Sequence, residues 1–317
     1  VLTTIVGLGI VAVLLIGPVA AALARAQWVQ REPRAVLVLW QALGLASGLA
    51  AGGAVLAAAL APLAGSLPSA LAAYWRAAAA GDLSGGLDVF HLFLLGAAIG
   101  LFGWLLTMTA VSSWRATRCR ARQRELVDLV STPWPNRVSP ARATGAGARL
   151  IDHPAAAAYC LPGPSSRVVI TTGALSLLDP DELDAVLAHE HAHLAERHDL
   201  LLLPFAAWSE AMFGLAGTQR TRRAVAQLVE MLADDRACLG RDRAVLATAL
   251  ARVGVAGAGG VAPSGALGST DLAVLPRVQR LLEPPAPSWW LRTLSYAAAA
   301  VTVTAPLWAF ALPLAVA

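Results

Sequence analysis

The sequence predicts a mainly α membrane protein, with four transmembrane helices and an α+β domain inserted between the third and the fourth. Composition is the first observation behind this: 57% of the 317 residues are hydrophobic, 14% are charged and mean hydropathy is +0.62, too apolar for an ordinary soluble chain. The second is that residues 1–24, 35–64, 89–113 and 293–317 carry no charge, and each is long enough to cross a bilayer, which takes about 20 residues. The third is that charges and turn signals concentrate between Arg115 and Arg292. The expected organisation is a three-helix membrane region over 1–114, a domain over 115–290 and a fourth membrane helix over 291–317.

The first stretch reads as a retained span and not as a cleaved signal peptide, because it lacks a basic start and its apolar core is too long. In the second, Gly44, Gly48 and Gly52 recur every four residues and leave room for another helix to approach closely. The loop after the first span holds Arg25, Arg31 and Arg34, whereas the loop after the second holds Arg76 against Asp82 and Asp88. The third span runs into Arg115, Arg118, Arg120, Arg122 and Arg124. Positive-inside bias then places the N-terminus outside and 115–292 in the cytoplasm, in a multi-pass protein of the cell membrane. The arginine run is expected to meet membrane lipids, with no direct nucleic-acid binding.

Within the inserted domain, Arg167-Val168-Val169-Ile170-Thr171 is β-branched and bounded by Pro164-Ser165-Ser166 and Gly173, as a strand should be. Asp179, Pro180 and Glu182 form a helix start: an N-cap, a proline at the first helical position and a capping-box carboxylate. Leu183, Val186, Leu187 and Leu194 continue at near-helical spacing. The ten uncharged residues 200–209 are too few to span and predict a core helix or a segment lying against the membrane. Residues 220–241 contain no Gly or Pro before Gly240 and predict a helix, 253–269 a Gly/Ala-rich loop, and 277–282 a short helix before Pro284-Pro285. Trp289 and Trp290 mark the interface where the last span begins.

The chemistry is announced by His189-Glu190-His191-Ala192-His193. Residues four apart share a helix face, so His189 and His193 can grip one Zn2+ per chain, with Glu190 beside it as general base. Catalytic zinc usually takes three protein ligands, and Glu230 is the expected third; its rivals are Glu196, on the motif helix itself, and Glu210, in an apolar run. Asp234, one turn after Glu230, is placed to accept an imidazole N–H. Asp199 would be the third ligand of an extended HExxHxxGxxH/D motif, but that motif needs Gly where this chain has Glu196. His191 and His198 are expected at the surface or behind the ligands, His91 and His153 have no assigned role, and Arg236 is a candidate oxyanion partner.

All 24 basic residues are Arg, which excludes lysine-dependent acylation, P-loop and Schiff-base chemistry. Cys119, Cys160 and Cys238, odd in number and on the expected cytoplasmic side, read as reduced thiols.

Residues 156–194, AAAYCLPGPSSRVVITTGALSLLDPDELDAVLAHEHAHL, followed by VEMLADDRA, resemble the BlaR/MecR-type antirepressor membrane metallopeptidases and are also similar to the HtpX/Ste24 group. Asp199-Leu200-Leu201 favours the former. The resemblance implies a zincin-like α+β metallopeptidase domain in which Val168, Val169 and Ile170 bind the substrate backbone by edge pairing. It also implies a protein substrate, a DNA-binding repressor cleaved in a signalling response. The alternatives are an HtpX-like protease for membrane-protein quality control and a non-catalytic zinc-containing membrane scaffold.

Overall fold

Long apolar runs without β-branched alternation fold as helices, and they do so here from the start of the chain. The computed structural model describes residues 2–63, 66–134, 147–256 and 274–311. Helix α1 (Leu2–Leu14) continues through a π-helical turn, Leu15–Val19, into α2 (Ala20–Arg25). Pro18 sits in that turn, where its missing N–H and its ring disturb the regular ladder. Helix α3 (Pro33–Ala59) starts with Pro33 at its first position, and α4 (Leu67–Ala79) is capped by a reciprocal Ser66/Ser69 box. Helix α5 (Val89–Val130) is 42 residues long. Three segments, Thr4–Arg25, Pro33–Ala59 and Val89–Val130, are long and apolar enough to cross a membrane. The fourth expected span is described as far as Ala311, within the 23-residue helix α12 (Trp289–Ala311).

Two contacts explain how these helices pack. The Phe102 ring of α5 lies against Gly52, where a Cβ would collide with it, so the glycine spacing does admit a close neighbour. Nothing stands within 4 Å of the corresponding position at Gly48. Glu32, buried at the start of α3, accepts hydrogen bonds from the Ser288 backbone N–H at 2.9 Å and from Arg292 at 2.9 and 3.3 Å, joining the starts of α3 and α12.

The chain divides into two units, Val1–Met108 with Trp208–Thr221 and Ser288–Ala317, and Thr109–Ala207 with Arg222–Pro287. The first differs from the expected membrane region chiefly by taking in Trp208–Thr221.

The second unit holds a four-stranded sheet of β1 (Thr132–Pro133), β2 (Gly147–Ile151), β3 (Ala158–Leu161) and β4 (Arg167–Thr171), in the order β1-β2-β4-β3. The β2–β4 pair is parallel and the other two are antiparallel. After the sheet come α6 (Thr172–Leu177), α7 (Pro180–Ala195), α8 (His198–Ala211), α9 (Ala216–Ala237), α10 (Arg243–Ala256) and α11 (Val274–Leu282). Strand alternation gives the sheet two apolar faces. Val168 and Ile170 pack on Leu183, Val186 and Leu187 of α7, while Tyr159, Leu161 and Val169 pack on Val127 of α5. On that second face Asp128 pairs with both Arg149 at 2.9 Å and Arg167 at 3.1 Å.

This order corrects one expectation. Strand β4 is interior, hydrogen-bonded to β2 along one side and to β3 along the other, so Val168, Val169 and Ile170 have no open backbone edge to offer a substrate. A β-branched run marks a strand but says nothing of its neighbours. Among the described residues β3 is the outer strand of the sheet, but Tyr159, Cys160 and Leu161 are buried and the strand packs against α7. The expected loop over 253–269 lies mostly outside the described residues; its start, to Ala256, is helical.

Replacing Gly52 by Val forces a side chain into the Phe102 ring and should cost about 1–3 kcal/mol, whereas Gly48→Ala should change stability by no more than about 0.5 kcal/mol. Thermal unfolding of the two detergent-solubilised variants checks this; equal midpoints would show that α3 and α5 do not pack through Gly52.

Candidate metal centre

The motif helix is anchored at its first turn. Asp179 accepts from the Glu182 N–H at 2.9 Å, Glu182 accepts from the Asp179 N–H at 3.1 Å, and Arg252 of α10 pairs with Glu182 at 2.7 Å. One face of α7 packs on the sheet through Leu183, Val186 and Leu187, and further along it His189, Glu190 and His193 are all buried. Helix α9 is set by Val225, Leu228, Val229 and Leu232, so that Glu230 and Asp234, one turn apart, are buried as well.

These helices bring His189, His193 and Glu230 together, with one ligand atom from each inside a 4.8 Å span. The two Nε2 atoms are 3.1 Å apart, and Glu230 lies 3.4 Å from His189 Nε2 and 3.5 Å from His193 Nε2 through its two oxygens. A tetrahedral zinc site with bonds of about 2.0–2.1 Å has edges of about 3.3–3.4 Å. Two imidazoles and one carboxylate are also the donor set of many catalytic zinc sites, so the residues fit the ion. Glu190 Oε2 is buried without a hydrogen-bond partner, as a carboxylate reserved for a reacting group would be.

The residues behind the ligands hold them in place. Asp234 Oδ1 lies 3.0 Å from His189 Nδ1. His193 Nδ1 is 3.0 Å from Nδ1 of His198, whose Nε2 is 3.5 Å from Glu196. His198 can turn back beneath His193 because Arg197 ends the motif helix in the left-handed region, at φ +50°. Arg277, buried on α11, donates to both oxygens of Asp234 at 2.8 and 2.6 Å and stands 2.9 Å from Glu230 Oε2.

Burial and charge act against each other here. Burial opposes a charged His189, but Asp234 and Glu230 outweigh it and hold the imidazole up at about 9. Burial takes His193 down to about 3. It also works against ionised Glu230 and Asp234, yet the neighbouring His193, His189 and Arg277 keep Glu230 at about 2, and Arg277 and His189 keep Asp234 well below the usual carboxylate range. Glu190 is pushed up to about 8 by burial. A divalent cation among these groups would favour neutral imidazoles and ionised carboxylates, the protonation states that ligation needs.

Of the other expected candidates, Glu196 faces His198, and Asp199 forms a buried ion pair with Arg120 at 2.9 Å. Arg236 is exposed on α9, and Arg277 is the cation beside the ligands instead. His191 donates to, or accepts from, nothing in the centre; its Nδ1 is 2.8 Å from the Leu187 carbonyl oxygen. Cys160, buried on β3, hydrogen-bonds Glu190, and burial followed by that carboxylate raises the thiol's pKa well above its ordinary value.

Residues 122–253 match the model of Peptidase family M48. A 53-residue stretch is 43% identical to the Protease HtpX homolog of Thermoplasma acidophilum, covering 17% of this chain and 17% of that protein's length. No solved structure matches. Of the two resemblances read from the sequence, the HtpX-like one is supported by these matches, and the antirepressor one is not singled out.

Removing Arg277 as Met would leave two buried carboxylates without their cation and should cost the zinc-free protein about 3–5 kcal/mol. Zinc should therefore raise the unfolding temperature more in this variant than in the parent; an equal rise would separate Arg277 from the centre. His198→Ala should weaken zinc binding by about 10–100-fold in a chelator competition, with partial recovery in His198→Asn; unchanged affinity would mean that His198 does not support His193.

Proposed function

We propose that this chain is an integral-membrane zinc-dependent endopeptidase. The observation that carries the reading is the convergence of His189, His193 and Glu230 at the spacing of a zinc coordination shell, next to the buried Glu190 carboxyl. When bound, zinc supplies Lewis-acid polarisation of the scissile carbonyl and lowers the pKa of a water. Glu190 takes a proton from the attacking water as its oxygen bonds to the carbonyl carbon. The same carboxyl then delivers that proton to the amide nitrogen as the C–N bond breaks. Asp234, His198 and Arg277 hold the ligands in orientation, Arg277 being buried and engaged with both Asp234 and Glu230. Cys160 of β3 lies against the Glu190 carboxyl. A structural zinc site would have no use for that buried carboxyl, which counts against the scaffold reading.

In the membrane, α12 serves as a fourth span, and 115–290 face the cytoplasm. The Glu32 link between the starts of α3 and α12 supports this, since four passes put those two ends on one side. The similarity to an HtpX homologue favours protein substrates drawn from the membrane, in quality control. Cleavage of a cytoplasmic repressor rests on the resemblance at Asp199-Leu200-Leu201, where the Asp199 carboxylate is taken up by Arg120.

Glu190→Ala in the full chain, reconstituted in vesicles, should retain about one zinc while losing about 10²–10⁴-fold of its cleavage of an unfolded membrane-protein substrate. Undiminished cleavage would refute the assignment of the general base. Preferential cleavage of a soluble winged-helix repressor by the parent would reverse the order of the two substrate readings.

A further inference from the structure

The segment between the second histidine ligand and Glu230 has a character that the metal centre does not explain. From Leu200 to Gln219 it carries a single charge, Glu210, and it turns at residues 212–215 between α8 and α9. Phe213 is 87% exposed and Leu215 58%, and Phe213 adopts φ +52°, uncommon for a bulky residue. A turn facing water is ordinarily built from small and polar residues. This one presents a phenylalanine and a leucine.

Its neighbours are the candidate spans. Trp208 packs on Gly44 of α3, where an added Cβ would come 3.2 Å from the indole. Trp104 of α5 donates its Nε1–H to the Ala211 carbonyl at 3.4 Å, and its ring stacks on Phe213 with centroids 6.3 Å apart. Both helices measure the depth of these contacts. Gly44 lies ten residues beyond Arg34 and Trp104 eleven residues before Arg115. At about 1.5 Å per residue, the first ruler puts Trp208 about 15 Å and the second puts the Trp104–Phe213 contact about 16–17 Å past the arginines, within a hydrocarbon layer about 30 Å thick. Along α9, which begins at Ala216, Arg220, Arg222 and Arg223 follow after four, six and seven residues, a helical rise of about 6–10 Å from which long guanidinium side chains can reach up to the headgroup level.

We propose that the α8–α9 turn is inserted into the bilayer from the arginine-rich side and that Phe213 and Leu215 take lipid acyl chains as their partner. The lipid surface already offered by α5, where Leu106 is 75% exposed, continues onto the turn through the Trp104–Phe213 stack. Glu210 is the costly member of this placement, and insertion requires its carboxyl to be neutral or paired. The inference goes beyond the proposed proteolysis and depends only on α3 and α5 being spans.

A nitroxide at Phe213→Cys tests it in the full chain, with Cys119 and Cys238 replaced by Ser, reconstituted in phosphatidylcholine vesicles. Access to oxygen should exceed access to a water-soluble nickel chelate several-fold, as at the control Leu106→Cys and unlike Leu239→Cys, which is exposed beyond the end of α9. Leu215→Cys gives a second reading should the Phe213 variant fail to fold. Chelate access at 213 and 215 with lipid access at 106 overturns the inserted turn alone. Chelate access at 106 as well overturns the spans along with it, and neither result bears on the Glu190 assignment.

Discussion

The metal centre depends on one buried interlock, the Asp234 carboxylate shared between the His189 imidazole and the Arg277 guanidinium. It joins three helices that are far apart in sequence, α7, α9 and α11, and a divalent ion would balance its charges in place of two protons. Arg277 and such an ion bring three positive charges against the three carboxylates of Glu190, Glu230 and Asp234, with both ligand imidazoles neutral. Without the ion the same groups carry an excess of negative charge. That excess is expressed as the proton drawn to His189 and the proton retained on Glu190. Buried charges of this kind are tolerated only when paired, so the site is built to favour a cation of the right charge.

The buried outer strand β3 completes this picture. Strand β4 is enclosed by its neighbours and serves as packing against α7, while β3 carries Cys160 to the Glu190 carboxyl. The thiol hydrogen-bonds the Glu190 carboxylate, whose Oε2 has no partner among the described residues. Burial raises the Glu190 carboxyl to about 8, and the Cys160 hydrogen bond acts in the opposite direction.

Much of this site was legible in the chain because its signals are local. The Asp179 cap, the histidines four apart and the 230/234 spacing each depend on residues within one or two helical turns, and helix geometry converts them directly into faces. Arg277 carries no such signal. It reaches Asp234 across 43 residues and His189 across 88, and its short helix announces only an amphipathic turn with Arg280. His198 was legible only as a group at the surface or behind the ligands, because the reversal at Arg197 that decides between the two requires a left-handed arginine, a conformation that no residue pattern foretells. Strand order was hidden because pairing partners lie outside any local window. Hydropathy located the three candidate spans, but not the extension of α5 to Val130, where arginine and glutamate prolong the helix as good helix formers.

Glu32 meets Ser288 across 256 residues of chain. A ribosome synthesising this protein finishes α3 long before the groups that satisfy that carboxylate exist. The early helices must therefore wait in the translocation machinery or the lipid with an acidic group unanswered, and their final packing can be locked only once α12 has been made. Assembly of the helical unit is in this sense closed by its last element, and the inserted catalytic segment is already synthesised when that closure occurs.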